Sequence, residues 1–295
     1  MRYYTDTSSL FIRGGFRAAS TGLAGGIRSV PALVSHSLPA GEGQPDPGRA
    51  LETVVAAQGL EHSYFGLTTT VPVHQACVLQ HDFITVFIAA GIRREPPATG
   101  GSITIIVVSS QGMDDAALLE AIMVASEAKA EALQAMDLPL SGTPADAVIV
   151  ACENEGAAVH VSAGRSTEAG MRIRNAVLYG IPQAIGRHDA GVQDDRPAFF
   201  VFSRIREDHW IHWTKDKCPY YPCHFAGQSC EYCYCPFYHC HDETLGQWAA
   251  GSNGKKVWNC ATCRLLHEPE VAAYLKAYPG ASRQELMRLA GRKNQ

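Results

Sequence analysis

Asp114-Asp-Ala-Ala-Leu-Leu-Glu-Ala-Ile-Met-Val-Ala-Ser-Glu-Ala-Lys-Ala-Glu-Ala-Leu-Gln-Ala-Met136 is the stretch on which the reading of the fold turns. At ~100° per residue, Leu118, Ile122, Leu133 and Met136 fall together, flanked by Leu119 and Met123, which is the pattern of a helix packed on a core. On either side stand Ile103–Ser109 and Asp146–Cys152, apolar runs that read as strands. Further strands are expected at Tyr64–Thr70, Ala76–Leu79, Phe83–Ala90 and Ala157–Ser162. Toward the N-terminus, Ser9–Arg13 and Arg17–Thr21 read as two short strands around Gly14-Gly15, and Ala32–Leu38 as another. Asp46-Pro47 opens a helix, with Asp as cap and Pro at the first helical position; it runs to about Gln58 and stops at Gly59. Ser166 caps a helix expected to run to about Gly180, before Pro182. The fold class is therefore α+β or α/β, a mixed sheet packed with helices. Strand order is not readable from this pattern.

Within the decisive helix, Ser126 and Lys129 fall inside the apolar arc, and a spacing of three places both on one face. A lysine in partly apolar surroundings can act as a base, and a Ser–Lys pair is one way to build a nucleophile for amide hydrolysis. The plainer alternative has Ser126 bonding the Ile122 carbonyl, with Lys129 snorkelling or pairing with Glu127, Asp146 or Glu153. Gly22-x-x-Gly25-Gly26 is a tight turn that either brings backbone N–H groups to a ligand or only connects two strands. Arg28 follows it as a candidate for an anionic or amide group, or for a surface ion pair. The isolated histidines His62, His74, His81 and His160 read as structural.

The cysteines divide the chain. Only Cys77 and Cys152 precede residue 218; the other eight of the ten lie between Cys218 and Cys263. Residues 1–195 carry 12 Lys+Arg against 20 Asp+Glu, and residues 196–295 carry 13 against 9. Two domains are expected, 1–195 and 196–295, with a break near Asp194-Asp195-Arg196-Pro197. In the second, the knuckles Cys230-x-x-Cys233 and Cys260-x-x-Cys263 are a zinc signature. Cys218, Cys223, His224, Cys235, Cys240 and His267 supply further candidate ligands, enough for one or two closed, structural ions. An iron–sulfur cluster and a set of disulfides or free thiols are the rival readings. So short a segment buries little apolar surface, so metal would carry much of its folding free energy. Ser282-Arg-Gln-Glu285 is a capping box opening a last helix, after one expected over Glu270–Tyr278.

Other function classes are excluded by what the chain lacks. No apolar stretch approaches the ~20 residues of a membrane span, and the polar opening Met1-Arg-Tyr-Tyr-Thr-Asp6 has no signal-peptide core. A cytosolic protein is expected, with no membrane partner. The net charge of −4 argues against nucleic acid. There is no phosphate-binding loop ending in Lys-Ser/Thr, no Gly-x-Ser-x-Gly and no His-Glu-x-x-His, and no organic cofactor is expected.

Taken in order, several segments resemble one family. They are Phe11-Ile-Arg13, Ala19-Ser-Thr-Gly-Leu-Ala-Gly-Gly-Ile-Arg28, Gly66-Leu-Thr-Thr-Thr-Val71, Ile103–Val108, Ser126-Glu-Ala-Lys129, Gly142-Thr-Pro-Ala-Asp-Ala-Val148 and Thr167-Glu-Ala-Gly170. Over about residues 3–186 the chain is similar to the adenosylcobinamide amidohydrolases, and its tail resembles the cysteine-rich small domain of corrinoid-related proteins. The resemblance implies a corrinoid substrate and hydrolysis of the amide joining aminopropanol to the corrin ring, in coenzyme B12 salvage. For that chemistry the candidate catalytic residues of this sequence are Lys129, Ser126, Glu127 and Asp146, and the candidate substrate contacts are Ser20, Thr21, Gly22, Gly25, Gly26, Arg28 and Thr69. A non-catalytic corrinoid- or metal-binding accessory protein is the alternative. A homo-oligomer is compatible with either.

Overall fold

The computed structural model describes residues 1–39, 46–60, 63–92, 100–153, 159–194, 196–204, 207–213, 221–232, 235–237, 240–250, 256–278 and 280–291. Its strands are β1 (Arg2–Thr5), β2 (Ser9–Ser20), β3 (Gly26–Ser37), β4 (Phe65–Thr69), β5 (Cys77–His81), β6 (Ile84–Ile92), β7 (Gly101–Ser109), β8 (Ala147–Glu153), β9 (Ala198–Ser203), β10 (His209–Trp213), β11 (Gln247–Ala250) and β12 (Lys256–Asn259). Its helices are α1 (Pro47–Ala57), α2 (Asp115–Ala135), α3 (Glu168–Asp189), α4 (Pro269–Ala277) and α5 (Arg283–Gly291). None of the described helices is long and apolar enough to cross a membrane.

The quoted stretch is the α2 crossover of a β7–α2–β8 unit. β7 and β8 are adjacent and parallel, with Thr104 opposite Ala147, so the chain between them must cross back over the sheet. The Asp114 side chain accepts from the Ala117 N–H and starts the helix there. The mixed sheet runs β10-β9-β5-β6-β7-β8-β2-β3-β4, with β1 paired to β2 off that path. The neighbours β9/β5, β7/β8 and β3/β4 are parallel.

Helices α2 and α3 pack on one face of this sheet. Alternation along each strand decides which side chains meet them: Val86, Ile88 and Ala90 of β6 and Ile103, Ile105 and Val107 of β7 join Leu118, Ala121, Ala125, Ile173 and Ile181 in one core. The intervening Phe87, Ala89, Thr104 and Ile106 point to the other face, where they line a small cleft with Leu10, Ser35, Thr69 and Val71. Burial on both faces is why β6 and β7 read as unbroken apolar runs. Helix α1 packs separately, Leu51 and Val55 on Phe11 and Val34.

Some expectations need correction. Ser9–Arg13 and Arg17–Thr21 are one twelve-residue strand. Gly14-Gly15 is a bulge within it, where the pairing with β3 shifts between Arg13 and Phe16. Helix α3 is capped by the Thr167 side chain and runs through Pro182 to Asp189. An interior proline costs ~3 kcal/mol, but Ile181 before it and Ile185 after it are fully buried, each worth ~1.5–3 kcal/mol, so packing outweighs it. Gly180 lets this turn approach the sheet: a Cβ there would lie 2.6 Å from Ile88 and 2.7 Å from Leu79. In place of a strand over Ala157–Ser162, the described part holds an isolated bridge between Met113 and His160; residues 157 and 158 lie outside the description. Two strands after residue 195, β9 and β10, belong to the sheet.

By compactness the chain forms two units, Tyr3–Trp213 and Thr214–Gln295 together with Met1–Arg2. Among the described residues of the second, Leu265, Leu266, Val271, Leu275, Ala281 and Leu286 form a small core, with Tyr232, Cys235, Phe237 and Cys263 packed against it. Its α5 begins as the capping box requires, the Ser282 hydroxyl accepting from the Glu285 N–H at 3.2 Å.

Candidate functional site

The structure joins Lys129 of α2 to Asp146, the residue that opens β8. Lys129 Nζ donates to Asp146 Oδ2, and both side chains are only 12% exposed. Asp146 also accepts from the Thr143 N–H at 2.9 Å and the Ile103 N–H at 3.1 Å, and its Oδ1 lies 2.6 Å from the Thr143 hydroxyl. That hydroxyl is also 3.0 Å from the Gly101 carbonyl. One carboxylate thus ties the starts of β7 and β8 to the middle of α2. Its acceptor sites are filled, which fixes both it and the ammonium it holds. Gly142 allows the close approach: a Cβ there would sit 2.5 Å from Asp146 Oδ2 and 2.6 Å from Lys129 Nζ. Thr143 and Gly142 were passed over as site residues by the reading of side-chain chemistry; the Thr143-x-x-Asp146 spacing was the available signal.

The glycine turn lies at the same end of the strands, since Ser20 of β2 pairs with Ile149 near the start of β8. Thr21 donates its N–H to the Val148 carbonyl at 3.0 Å and accepts the Val148 N–H on its hydroxyl at 2.9 Å, two residues after Asp146. Ser20 accepts from the Gly22 N–H at 3.0 Å. Gly25 cannot bear a side chain, since its Cβ would fall 2.4 Å from the Ser20 carbonyl; Gly26 has φ +112°. Arg28 turns back on the loop, donating to Ala24 O at 2.8 Å and Tyr64 O at 3.0 Å with its guanidinium 3.8 Å from the Phe65 ring centre. Its plain role here is to brace the turn, whose tip is exposed.

Thr69 stands at the other end of β4. Its hydroxyl accepts from Ser102 at 3.1 Å and from the Val71 N–H at 3.1 Å. Three strands separate β4 from β7 in the sheet, so this bond means that the sheet curls over and closes the cleft between them. Ser102, not expected from sequence, precedes the residue that donates to Asp146, which makes one polar line from Thr69 to Lys129.

Ser126 and Glu127 are not drawn into this network by any described bond. The Ser126 hydroxyl donates to the Ile122 carbonyl at 2.9 Å, and Glu127 is exposed. His81 is buried beside Phe202 (4.0 Å between ring centres). Burial, with Arg172 and Arg204 nearby, pushes its pKa down to about 4. His160 stacks on Phe83 and is likewise lowered by burial.

In the cysteine-rich unit, Cys218 and Cys233 lie outside the described residues. Gln228 Nε2 donates to Cys223 Sγ at 3.2 Å and Cys230 Sγ at 3.3 Å. His224 Nδ1 lies 3.0 Å from Cys223 Sγ, and its ring stacks on His267 at 4.1 Å. Elsewhere burial pushes the Cys235 thiol up to about 12, with Cys263, Cys260 and Cys240 adding to the rise. Burial and the neighbouring sulfurs raise Cys260 and Cys263 as well. Among the described residues, no three Cys, His, Asp or Glu side chains stand together as a ready-made metal site.

Fold and site define an α/β protein with a charged clasp at the strand ends in the middle of its sheet, followed by a cysteine-rich unit. Residues 3–192 match the adenosylcobinamide amidohydrolase family and residues 209–290 the cysteine-rich small domain. The chain belongs to the adenosylcobinamide amidohydrolase family. It is 36% identical over 191 residues to an adenosylcobinamide amidohydrolase of Methanosarcina mazei, covering 61% of this chain and 96% of that one. An uncharacterized protein of Methanocaldococcus jannaschii is 53% identical over 56 residues, 19% of this chain and 47% of that one. A Methanothermobacter thermautotrophicus protein carrying the name probable cobalt-factor III C(17)-methyltransferase is 40% identical over 62 residues, 21% of this chain and 17% of that one.

Proposed function

We propose that this chain hydrolyses adenosylcobinamide at the amide that joins aminopropanol to a propionyl side chain of the corrin ring. Water adds its oxygen to the amide carbon, the C–N bond breaks, and the nitrogen leaves with a proton. The products are adenosylcobyric acid and 1-amino-2-propanol. The observation that carries this reading is the 36% identity running over 96% of the Methanosarcina mazei amidohydrolase. The clasp gives it a chemical centre. An unactivated amide needs a fixed donor where negative charge develops on the carbonyl oxygen. Lys129 Nζ donates one hydrogen to Asp146 and retains two for a substrate oxygen. Asp146 and Gly142 act by positioning it, and the N–H groups of the turn from Gly22 to Gly26 lie at the same end of the strands to orient the amide.

The cysteine-rich unit is proposed to hold structural zinc. The donor chemistry fits: thiols in pairs, and a histidine, His267, whose Nδ1 lies 2.9 Å from the Ser229 carbonyl, which leaves Nε2 as the free lone pair. Bound there, zinc would cross-link the unit and take no part in the hydrolysis. Incubating the purified chain with adenosylcobinamide and identifying the products by mass tests the function. Equal amounts of the two named products support it. Tight corrinoid binding without turnover would favour the accessory-protein alternative.

A further inference from the structure

The end of the strands that carries the clasp also holds an imidazole, His188. β6 lies next to β7 and finishes at this end, with Gly91 opposite Ser102. Gly91 continues the alternation of Phe87 and Ala89, so it faces the same way as those cleft residues. The His188 ring, brought in by the last turn of α3, takes the place of the missing side chain. A Cβ on Gly91 would lie 2.5 Å from His188 Cδ2, 2.6 Å from its Nε2 and 3.0 Å from Val71. Gly91 also borders the clasp. Its carbonyl oxygen lies 2.6 Å from where a Gly101 Cβ would stand, and that point is 3.4 Å from Thr143 Cγ2. Thr143 in turn bonds Asp146.

The ring is held in one tautomer. Gln75 is 4% exposed. Its Nε2 donates to the Val192 carbonyl at 3.2 Å, which turns its Oε1 toward His188, 2.8 Å from Nδ1. An amide oxygen only accepts, so in the uncharged ring the proton sits on Nδ1 and Nε2 carries the lone pair. Among the described residues no donor meets that lone pair, and the side chain is only partly buried. By contrast, His36 bonds Ser9 and His160 bonds Gln111. His74 Nε2 and His81 Nδ1 are sealed from solvent.

His188 thus offers an acceptor where its surroundings offer donors. Lys129 has hydrogens left for a substrate oxygen, the glycine turn has its N–H groups, and the Ser102 and Thr69 hydroxyls bond each other. A fixed acceptor suits an N–H. It disfavours a carboxylate, which would set a second acceptor against the lone pair. The corrinoid of the proposed reaction is far wider than the amide it loses, and primary carboxamides stand around its edge.

We propose that His188 is a specificity-determining residue, whose Nε2 accepts a hydrogen bond from a carboxamide N–H on the corrin edge. Gln75 is the positioning residue that fixes the tautomer, and the pair selects amidated corrinoids over their carboxylate forms. This rests on the corrinoid reading of the site and deepens it. The test compares adenosylcobinamide with derivatives in which one edge carboxamide has been hydrolysed, at about pH 8, where carboxylates are ionised. Kd, KM and kcat are measured on the full purified chain. The wild type disfavours at least one monocarboxylate by about tenfold or more in Kd and KM. His188→Leu raises Kd and KM for adenosylcobinamide about tenfold, lowers kcat far less, and no longer discriminates against that monocarboxylate. Gly91→Ala, whose Cβ displaces the ring, behaves in the same way. Gln75→Glu sets a carboxylate against Nδ1, favours the doubly protonated ring and turns Nε2 into a donor, so the preference shifts toward the monocarboxylate. Discrimination retained in His188→Leu, or a loss confined to kcat, overturns the role of His188. Wild-type preference in Gln75→Glu overturns that of Gln75. Wild-type turnover without discrimination overturns the specificity and leaves the hydrolysis standing. Discriminating binding without turnover overturns the hydrolysis and leaves His188 its role. A folded chain that binds no corrinoid overturns both.

Discussion

The sheet unit and the cysteine-rich unit are held together by different means. In the first, the core under α2 and α3 brings together more than thirty buried residues, among them Ile84, Ile105, Leu118 and Ile181 at 0% exposure. Among the described residues of the second, the cluster of buried apolar residues has six members. At ~1.5–3 kcal/mol for each fully buried large side chain, the first has ample driving force and the second has little to set against the cost of ordering its loops. The comparison teaches where each unit is vulnerable. One depends on packing and on a single charged clasp, the other on its thiols and whatever they bind.

The largest effect expected from this contrast is that of a chelator. Structural zinc contributes an apparent ~10–16 kcal/mol in small metal-stapled domains. Removing metal from the full chain is expected to expose residues 214–295 to protease while residues 3–213 stay protected, read by mass spectrometry of the fragments. Equal resistance of both units after metal removal would break the comparison.

The next effect lies in the sheet unit. Lys129→Ala leaves Asp146 buried without its cation, at a cost of ~3–5 kcal/mol in unfolding by denaturant. On folded protein it is expected to lower kcat/KM by about a hundredfold or more, the scale of losing one preorganised donor. Gly142→Ala keeps both charges but places a Cβ between them, and its activity should fall in the same direction. A Gly142→Ala enzyme with full activity would separate the clasp from the chemistry.

A smaller effect is pH-dependent. His81 has its pKa depressed to about 4 by burial, so at pH values between that and 6.5 the unfolded chain takes up a proton that the folded chain does not. Stability is full above pH 6.5 and declines as pH falls toward 4, by roughly 3 kcal/mol in all. His81→Gln should flatten that part of the stability curve, as followed by denaturant midpoints. A slope unchanged by the substitution would remove His81 as its source.

The smallest effect is expected for Ser126→Ala. Its hydroxyl is committed to the turn before it, so stability should change by less than ~0.5 kcal/mol and kcat by less than about twofold. Loss of turnover would return Ser126 to the role of nucleophile.

The elements that sequence made legible are those with local causes. Asp46 caps where its side chain predicts, and of the apolar arc of α2 Leu118 and Leu133 are fully buried while the flanking Leu119 and Met123 stand exposed. Pro182 misled because a local rule met a tertiary fact, the tight contact of Gly180 with Leu79 and Ile88. Gly14-Gly15 looked like a break and is a bulge, since the partner strand carries the ladder across it. Strand order had no local signal at all. The same holds for the site. Asp146 stood among three carboxylates that Lys129 might have met, and only the β7–α2–β8 crossover selects it.

The central claim is that the sheet unit hydrolyses a corrinoid amide with Lys129 at its centre. The direct measurement is turnover of adenosylcobinamide in ¹⁸O-labelled water by the wild type and Lys129→Ala. The account predicts one labelled oxygen in adenosylcobyric acid, an equal amount of 1-amino-2-propanol, and a loss of at least about a hundredfold in the variant. Corrinoid recovered unchanged from the folded wild type, or a variant as fast as the wild type, would contradict it.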